Sequence, residues 1–296
     1  MRFFKIGILL LMSIYTSAYA GELYKYKDDN GKWVFSDKKP VGTKEVDRLQ
    51  YKGNKKALPK PRVYITNFEG QHSLVVHNPY YAPIEVEVHS SIFKDASHKE
   101  IISESSTKIL YESDNKIPRY RYKWRLGDPM ADEDDYLYTF PVSSKMSHKI
   151  TQSFNGRFSH SKRPSIYAVD IATPVGTYIS AAREGTVIWV KDDYYMGGKN
   201  KYFLDKANYV KVLHQDGTYA VYAHILLGSA LVNPGDKVVA GDRLARAGSS
   251  GYSTGPHLHF VIRKNIGLKT ASIPFEFVNN EGQPFRPRKG MKVDGI

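Results

Sequence analysis

Two histidines set two residues apart in a strand-like pattern are the first residues of this chain that could do chemistry. They stand in Gly255-Pro256-His257-Leu258-His259-Phe260-Val261-Ile262. Alternate side chains of a β-strand share a face, so His257 and His259 point the same way. One can ligate a metal while its neighbour works on a substrate. The spacing alone also suits two polar residues on the wet face of a sheet, but two further segments favour a site. Phe158-Ser159-His160 precedes Tyr167-Ala168-Val169-Asp170-Ile171-Ala172, which sets Asp170 among apolar neighbours. An unpaired carboxylate is costly there, and a cation would relieve that cost. Val221-Tyr222-Ala223-His224-Ile225 again closes an apolar run on a histidine.

Together these segments offer two histidines and a carboxylate, a set that suits tetrahedral zinc with one position left open, as catalytic sites require. The chain has no cysteine, which excludes disulfides and thiolate ligands and leaves any metal to His and carboxylate. Zinc so held lowers the pKa of water and polarises a carbonyl, chemistry suited to amide hydrolysis near neutral pH. The remaining histidines would move protons or stabilise a developing oxyanion.

The elements that must position these residues read as strands. From about residue 147 to 290, β-rich runs such as Tyr178-Ile179-Ser180, Gly185 to Val190, Tyr209 to Leu213 and Tyr219 to Tyr222 alternate with Gly-containing turns. No long amphipathic helix pattern interrupts them, so an all-β domain of catalytic size is predicted. Upstream, residues 62–144 alternate apolar and polar residues in short stretches and predict a small β-rich domain. His72, His77, His89 and His98 lie there without shared spacing and read as surface or strand residues. The run Asp132-Glu133-Asp134-Asp135 reads as a solvated loop. Residues 51–61 read as a linker, and residues 21–50 as a small unit built on a β-hairpin around the turn Asp29-Asn30-Gly31.

Residues 1–20 carry Arg2 and Lys5, an apolar run from Ile6 to Met12 and the Ala18-x-Ala20 spacing. This is the pattern of a secretory signal, cut after Ala20. Later residues contain no stretch apolar enough to predict an integral membrane segment. The formal charge is +13, from 43 basic and 30 acidic residues, but the basic residues are scattered. Nucleic-acid binding is therefore disfavoured, and attraction to an anionic envelope polymer is the better reading.

The ordered motifs Ser159-His160, Tyr167 to Ile171, Pro174-Val175-Gly176-Thr177, Ala181 to Gly185, Ala207 to Val210, His214 to Thr218, Tyr222-Ala223-His224 and Gly251 to Phe260 resemble the lysostaphin and LytM-type (M23) peptidoglycan endopeptidases. The resemblance covers about residues 147–290. It implies an antiparallel β-sheet groove of the duplicated-hybrid-motif type, with one zinc ion per chain at its floor. His160, Asp170 and His259 would be the metal ligands, and His224 and His257 the catalytic pair. Nine residues separate His160 from Asp170 where the compact family pattern has three, so this segment must fold back. The implied substrate is peptidoglycan, cut at its peptide cross-links in the periplasm or cell envelope. Regulation by an envelope protein that opens the groove is a further expectation. Tyr26, Asp28, Gly31, Phe35, Ser36, Asp37 and Pro40 resemble a short domain common in proteobacterial envelope proteins.

Two other readings compete. A catalytically silent relative could dock on the wall or activate an amidase, but its ligand positions should be degenerate, whereas all five positions here carry the needed chemistry. Residues 231–242 resemble a lipoyl- or biotinyl-carrier hairpin, yet lack the Met-Lys-Met-type turn. Tight turns built from Gly-Asp account for that likeness.

Overall fold

The computed structural model describes residues 21–27, 33–36, 42, 46–51 and 59–296. The expected signal segment, the hairpin turn at 29–31 and most of the expected linker lie outside the described residues. The chain divides into two compact units, residues 1–54 and 55–296. In the first, Gly21–Lys27 pairs antiparallel with Trp33–Ser36 on one side and with Val46–Tyr51 on the other, giving a three-stranded sheet rather than a hairpin alone. Among the described residues, no helix is long and apolar enough to cross a membrane.

The second unit is built on a nine-stranded sheet whose pairings are all antiparallel. At its centre the strand His257–Asn265 lies between Tyr219–Ala223 and Val169–Ala172. The strand period of two then sorts side chains between two cores. Leu258, Phe260 and Ile262 enter one core with Tyr222, Val210, Val212, Val169 and Ile171. His257, His259, Val261 and Arg263 take the other face.

Small sheets close the first core from behind. Leu137–Thr139 pairs with Glu276–Val278, and Val142–Ser143 pairs with Tyr178–Ser180. Residues 137–143, grouped by their alternation with the β-rich segment before them, thus join strands of the C-terminal region. Phe260, directly behind the His259 position, meets Phe275 nearly edge-on at 5.2 Å and 89°. Such aromatic contacts add to the ~1.5–3 kcal/mol that burying a large apolar side chain contributes. The strand carrying both histidines is thereby held from its reverse side.

Residues 62–126 form two three-stranded antiparallel sheets. One holds Arg62–Phe68, Gln71–Asn78 and Ser106–Ser113, and the other Ser97–Ile102, Ile84–His89 and Arg121–Leu126. Their core, including Leu74, Val76, Tyr80, Val86 and Val88, merges with Val221, Ala223 and Val261 on the metal-site face of the large sheet. A polar tie reinforces this packing: buried Glu85 accepts from Asn265 Nδ2 at 2.8 Å and from the Leu268 amide at 2.5 Å.

His77 bonds Thr107, while His89 and His98 lie beside Glu87 and Glu100, all as ordinary strand residues. The acidic run is not simply solvated. Asp134 grips the buried Arg183 guanidinium through two 2.7 Å bonds, and Glu133 pairs with Lys264. A buried guanidinium needs such partners, and the run supplies them. In the carrier-like stretch, the Asp236 and Asp242 carboxylates accept from the amides of Asn233 and Val239 and close two tight turns.

Tyr222 is fully buried, and its hydroxyl accepts the Ala182 amide at 2.8 Å. Tyr222→Phe should leave that amide unpaired and cost ~1–3 kcal/mol. Urea denaturation should show it as a lowered midpoint at unchanged slope.

Candidate metal centre

The site is assembled in one row across the large sheet, where Asp170 pairs in register with His259, and His259 with Ala223. Neighbouring strands lie about 4.8 Å apart and directly opposed side chains share a face. Asp170 and His259 therefore meet without any loop having to place them. Asp170 Oδ1 lies 2.8 Å from His259 Nδ1 and 3.1 Å from His160 Nε2. These three donor atoms all fall within 4.8 Å of one another.

His160 reaches the site by the return of the nine-residue excursion. Gln152, on the strand beside Asp170, organises that return. Its Nε2 donates to Asp170 Oδ2 at 2.9 Å and to Ser159 Oγ at 2.7 Å, while its Oε1 accepts the Phe158 amide at 3.1 Å. His160 is fully buried with Nδ1 3.0 Å from the Ser153 carbonyl, a bond that would leave the Nε2 lone pair for an ion once that ion replaced the proton Nε2 shares with Asp170. Burial opposes ionisation of Asp170, but hydrogen bonds from His160 and His259 outweigh it and hold the carboxyl well below its usual range. The site thus presents an ionised oxygen and two imidazole nitrogens, with Asp170 Oδ2 and His160 Nδ1 already engaged. That is the donor set and outer-shell support zinc requires.

The second pair of histidines stands alongside. His224 follows the strand Tyr219–Ala223 with φ of +65°, a left-handed backbone that costs a non-glycine residue about 1–2 kcal/mol. Its Nδ1 donates to the Ser250 carbonyl at 2.6 Å, which fixes the tautomer and turns Nε2 outward. Burial pushes His224 down to about 3, and His257 and His259 add to the effect, so the ring is neutral and able to accept a proton. His257 donates from Nδ1 to the Gly255 carbonyl at 2.8 Å, with its Nε2 3.8 Å from Asp170 Oδ1. The His224 and His257 ring centres are 4.5 Å apart. Of these five side chains, all but His160 line a cavity of about 1460 Å³ on this face of the sheet.

All five residues named from sequence are thus brought together. Gln152, Ser153 and Ser250 were not foreseen, because their roles rest on contacts with no spacing signature.

An antiparallel sheet bearing a His-Asp-His donor set and an adjacent imidazole pair defines a metallopeptidase-like site. Residues 165–271 match the profile of Peptidase family M23, and the chain carries that domain. The match includes Asp170, His224, His257 and His259 and begins five residues after His160. Residues 9–62 match a domain of unknown function, DUF4124. Over 141 residues the chain is 32% identical to peptidoglycan DD-endopeptidase ShyA of Vibrio cholerae, covering 46% of this chain and 30% of that protein. It is also 32% identical over 117 residues to the glycyl-glycine endopeptidase ALE-1 of Staphylococcus capitis, covering 39% and 30%. The chain therefore spans 30% of the length of either relative. A solved mutant catalytic domain of the prophage-encoded M23 protein EnpA from Enterococcus faecalis is 29% identical, covers 45% of this chain and 92% of that one, and gives a TM-score of 0.34.

Gln152→Ala should lower zinc affinity by about 10–100-fold, the usual cost of losing an outer-shell partner. Competition against a chromophoric chelator measures it, and unchanged affinity would show that Gln152 has no part in ordering the ligands.

Proposed function

We propose that this chain is an exported zinc metalloendopeptidase that hydrolyses peptide cross-links of bacterial peptidoglycan in the periplasm or cell envelope. The observation that carries the reading is the convergence of His160, Asp170 and His259 beside the His224–His257 pair in one groove. The M23 domain and relatives named for cutting peptidoglycan support it. A complete set of five residues speaks against the silent, wall-docking alternative.

His160, Asp170 and His259 would hold the zinc, which when bound would supply the Lewis acidity to acidify water and polarise the scissile carbonyl. The protein's own groups do the rest. Neutral His224, its Nδ1–H committed to Ser250, offers Nε2 to take a proton. His257, oriented by the Gly255 carbonyl at Nδ1, presents its Nε2 to the groove, where, once it has taken a proton from the attacking water, it can stabilise an oxyanion or give that proton to the leaving amine. The Gln152 bond keeps Asp170 turned so that Oδ1 serves the site.

Residues 62–126 pack on the metal-site face, against Val221, Ala223 and Val261. This supports a role in limiting access to the groove, with an envelope regulatory protein as the partner that relieves it.

Mature protein should retain about one zinc per chain and release soluble muropeptides from purified sacculi. His259→Ala should abolish both. His257→Ala should remove cleavage while largely sparing the metal. Mass analysis of the digests reports activity and the bond cut together. Undiminished cleavage by zinc-free protein contradicts the proposal.

A further inference from the structure

Among the described residues, two cations on the metal-site face have no acidic partner. On the strand Tyr209–Leu213, Lys211 is registered with Val221, which is registered with Val261. It therefore lies one row of the sheet beyond His259, and Arg263 lies in the next row. Two residues of strand advance about 7 Å, so both are within a few peptide units of the metal site along the groove. Both line the same cavity as Asp170, His224 and His259.

Their surroundings are unusual for positive charge. The Lys211 ammonium faces the rings of Trp189 at 4.8 Å, Tyr209 at 5.0 Å and Tyr219 at 5.9 Å. Arg263 spends Nε on the Pro164 carbonyl at 3.0 Å and Nη2 on Ser165 Oγ at 3.2 Å. Both partners are neutral. Among the described residues, no carboxylate bears on either cation; Lys211 instead feels the repulsion of Arg263. Burial and that repulsion push Lys211 down to about 8. Half-buried cations held together without a counter-ion are costly. An aromatic cage orients Lys211 but does not neutralise it.

We infer that Lys211 and Arg263 form an anion subsite of the groove that receives a free carboxylate of the substrate peptide near the amide being cut. A carboxylate there would satisfy both charges at once, and charge-assisted bonds of this kind are the strong, geometrically selective ones. Arg263 also ties the subsite to the site's construction, because Pro164 and Ser165 belong to the excursion between His160 and Asp170. The inference rests on the peptidase reading above for the identity of the substrate, but binding can be measured apart from cleavage.

The test compares a soluble cross-linked stem-peptide dimer with the same dimer after amidation of its free carboxyl groups. Cleavage is followed with the intact zinc-loaded chain, and binding by calorimetry with the intact His257→Ala chain. The free acid should be cleaved with a KM about 10–100-fold lower than the amide and should bind correspondingly tighter. Lys211→Met, which keeps the apolar stem in the aromatic cage, should erase that preference, and Lys211→Arg should restore most of it. Equal handling of acid and amide by the unsubstituted chain overturns the subsite, and this comparison needs no variant to fold. Carboxylate-dependent binding without cleavage would uphold the subsite and sink the peptidase reading. Cleavage without preference would do the reverse, and neither binding nor cleavage would overturn both.

Discussion

A buried, ionised carboxylate cannot stand alone, and the site is organised around meeting the demand of Asp170. His259 answers from the neighbouring strand, His160 from the returning excursion, and Gln152 holds the second oxygen. Each partner is held in turn by a backbone or outer-shell contact, so the donor set is positioned before any metal arrives. Preorganisation of this kind limits the ordering that binding must bring about. It also separates two jobs on the face: the Asp170 row would hold the metal of the proposed site, while His224 and His257 keep their tautomers through bonds to the Ser250 and Gly255 carbonyls.

The large sheet makes this possible because its two faces have different duties. Leu258, Phe260 and Ile262 of His257–Asn265 are locked into an aromatic and aliphatic core, and His257, His259, Val261 and Arg263 are thereby fixed in register on the opposite face. A slip of one residue would invert the assignment and destroy site and core together, so core packing enforces site geometry. Residues 62–126 cover part of the same groove face, and Glu85 clamps the far end of the ligand-bearing strand. Access and stability are therefore coupled through shared packing.

Much of this was legible in the sequence because it obeys short periods. The strand period placed His257 and His259 on one face, the apolar frame of Asp170 implied a partner, and the ordered motifs named His160 and His224. What was not legible depends on contacts between distant residues. Gln152 bridges Phe158, Ser159 and Asp170, and Ser250 fixes His224 across 26 residues. No local pattern records either. Asp134 looked solvated because its partner, Arg183, lies 49 residues away. The joining of the middle segment to the large sheet rests on contacts such as Glu85 with Asn265, 180 residues apart. Nor could the isolation of Lys211 and Arg263 be read from composition, since scattered basic residues look alike until their neighbours are known.

The central proposal is that Asp170 and His259, on one row of the sheet, and His160, from the returning excursion, together hold a single zinc. X-ray absorption at the zinc edge of the intact, metal-loaded protein tests it most directly. The account predicts one zinc per chain with two imidazole nitrogens and a carboxylate oxygen at about 2.0–2.2 Å. A shell with one imidazole or none, or zinc bound equally well after Asp170→Ala, would contradict it.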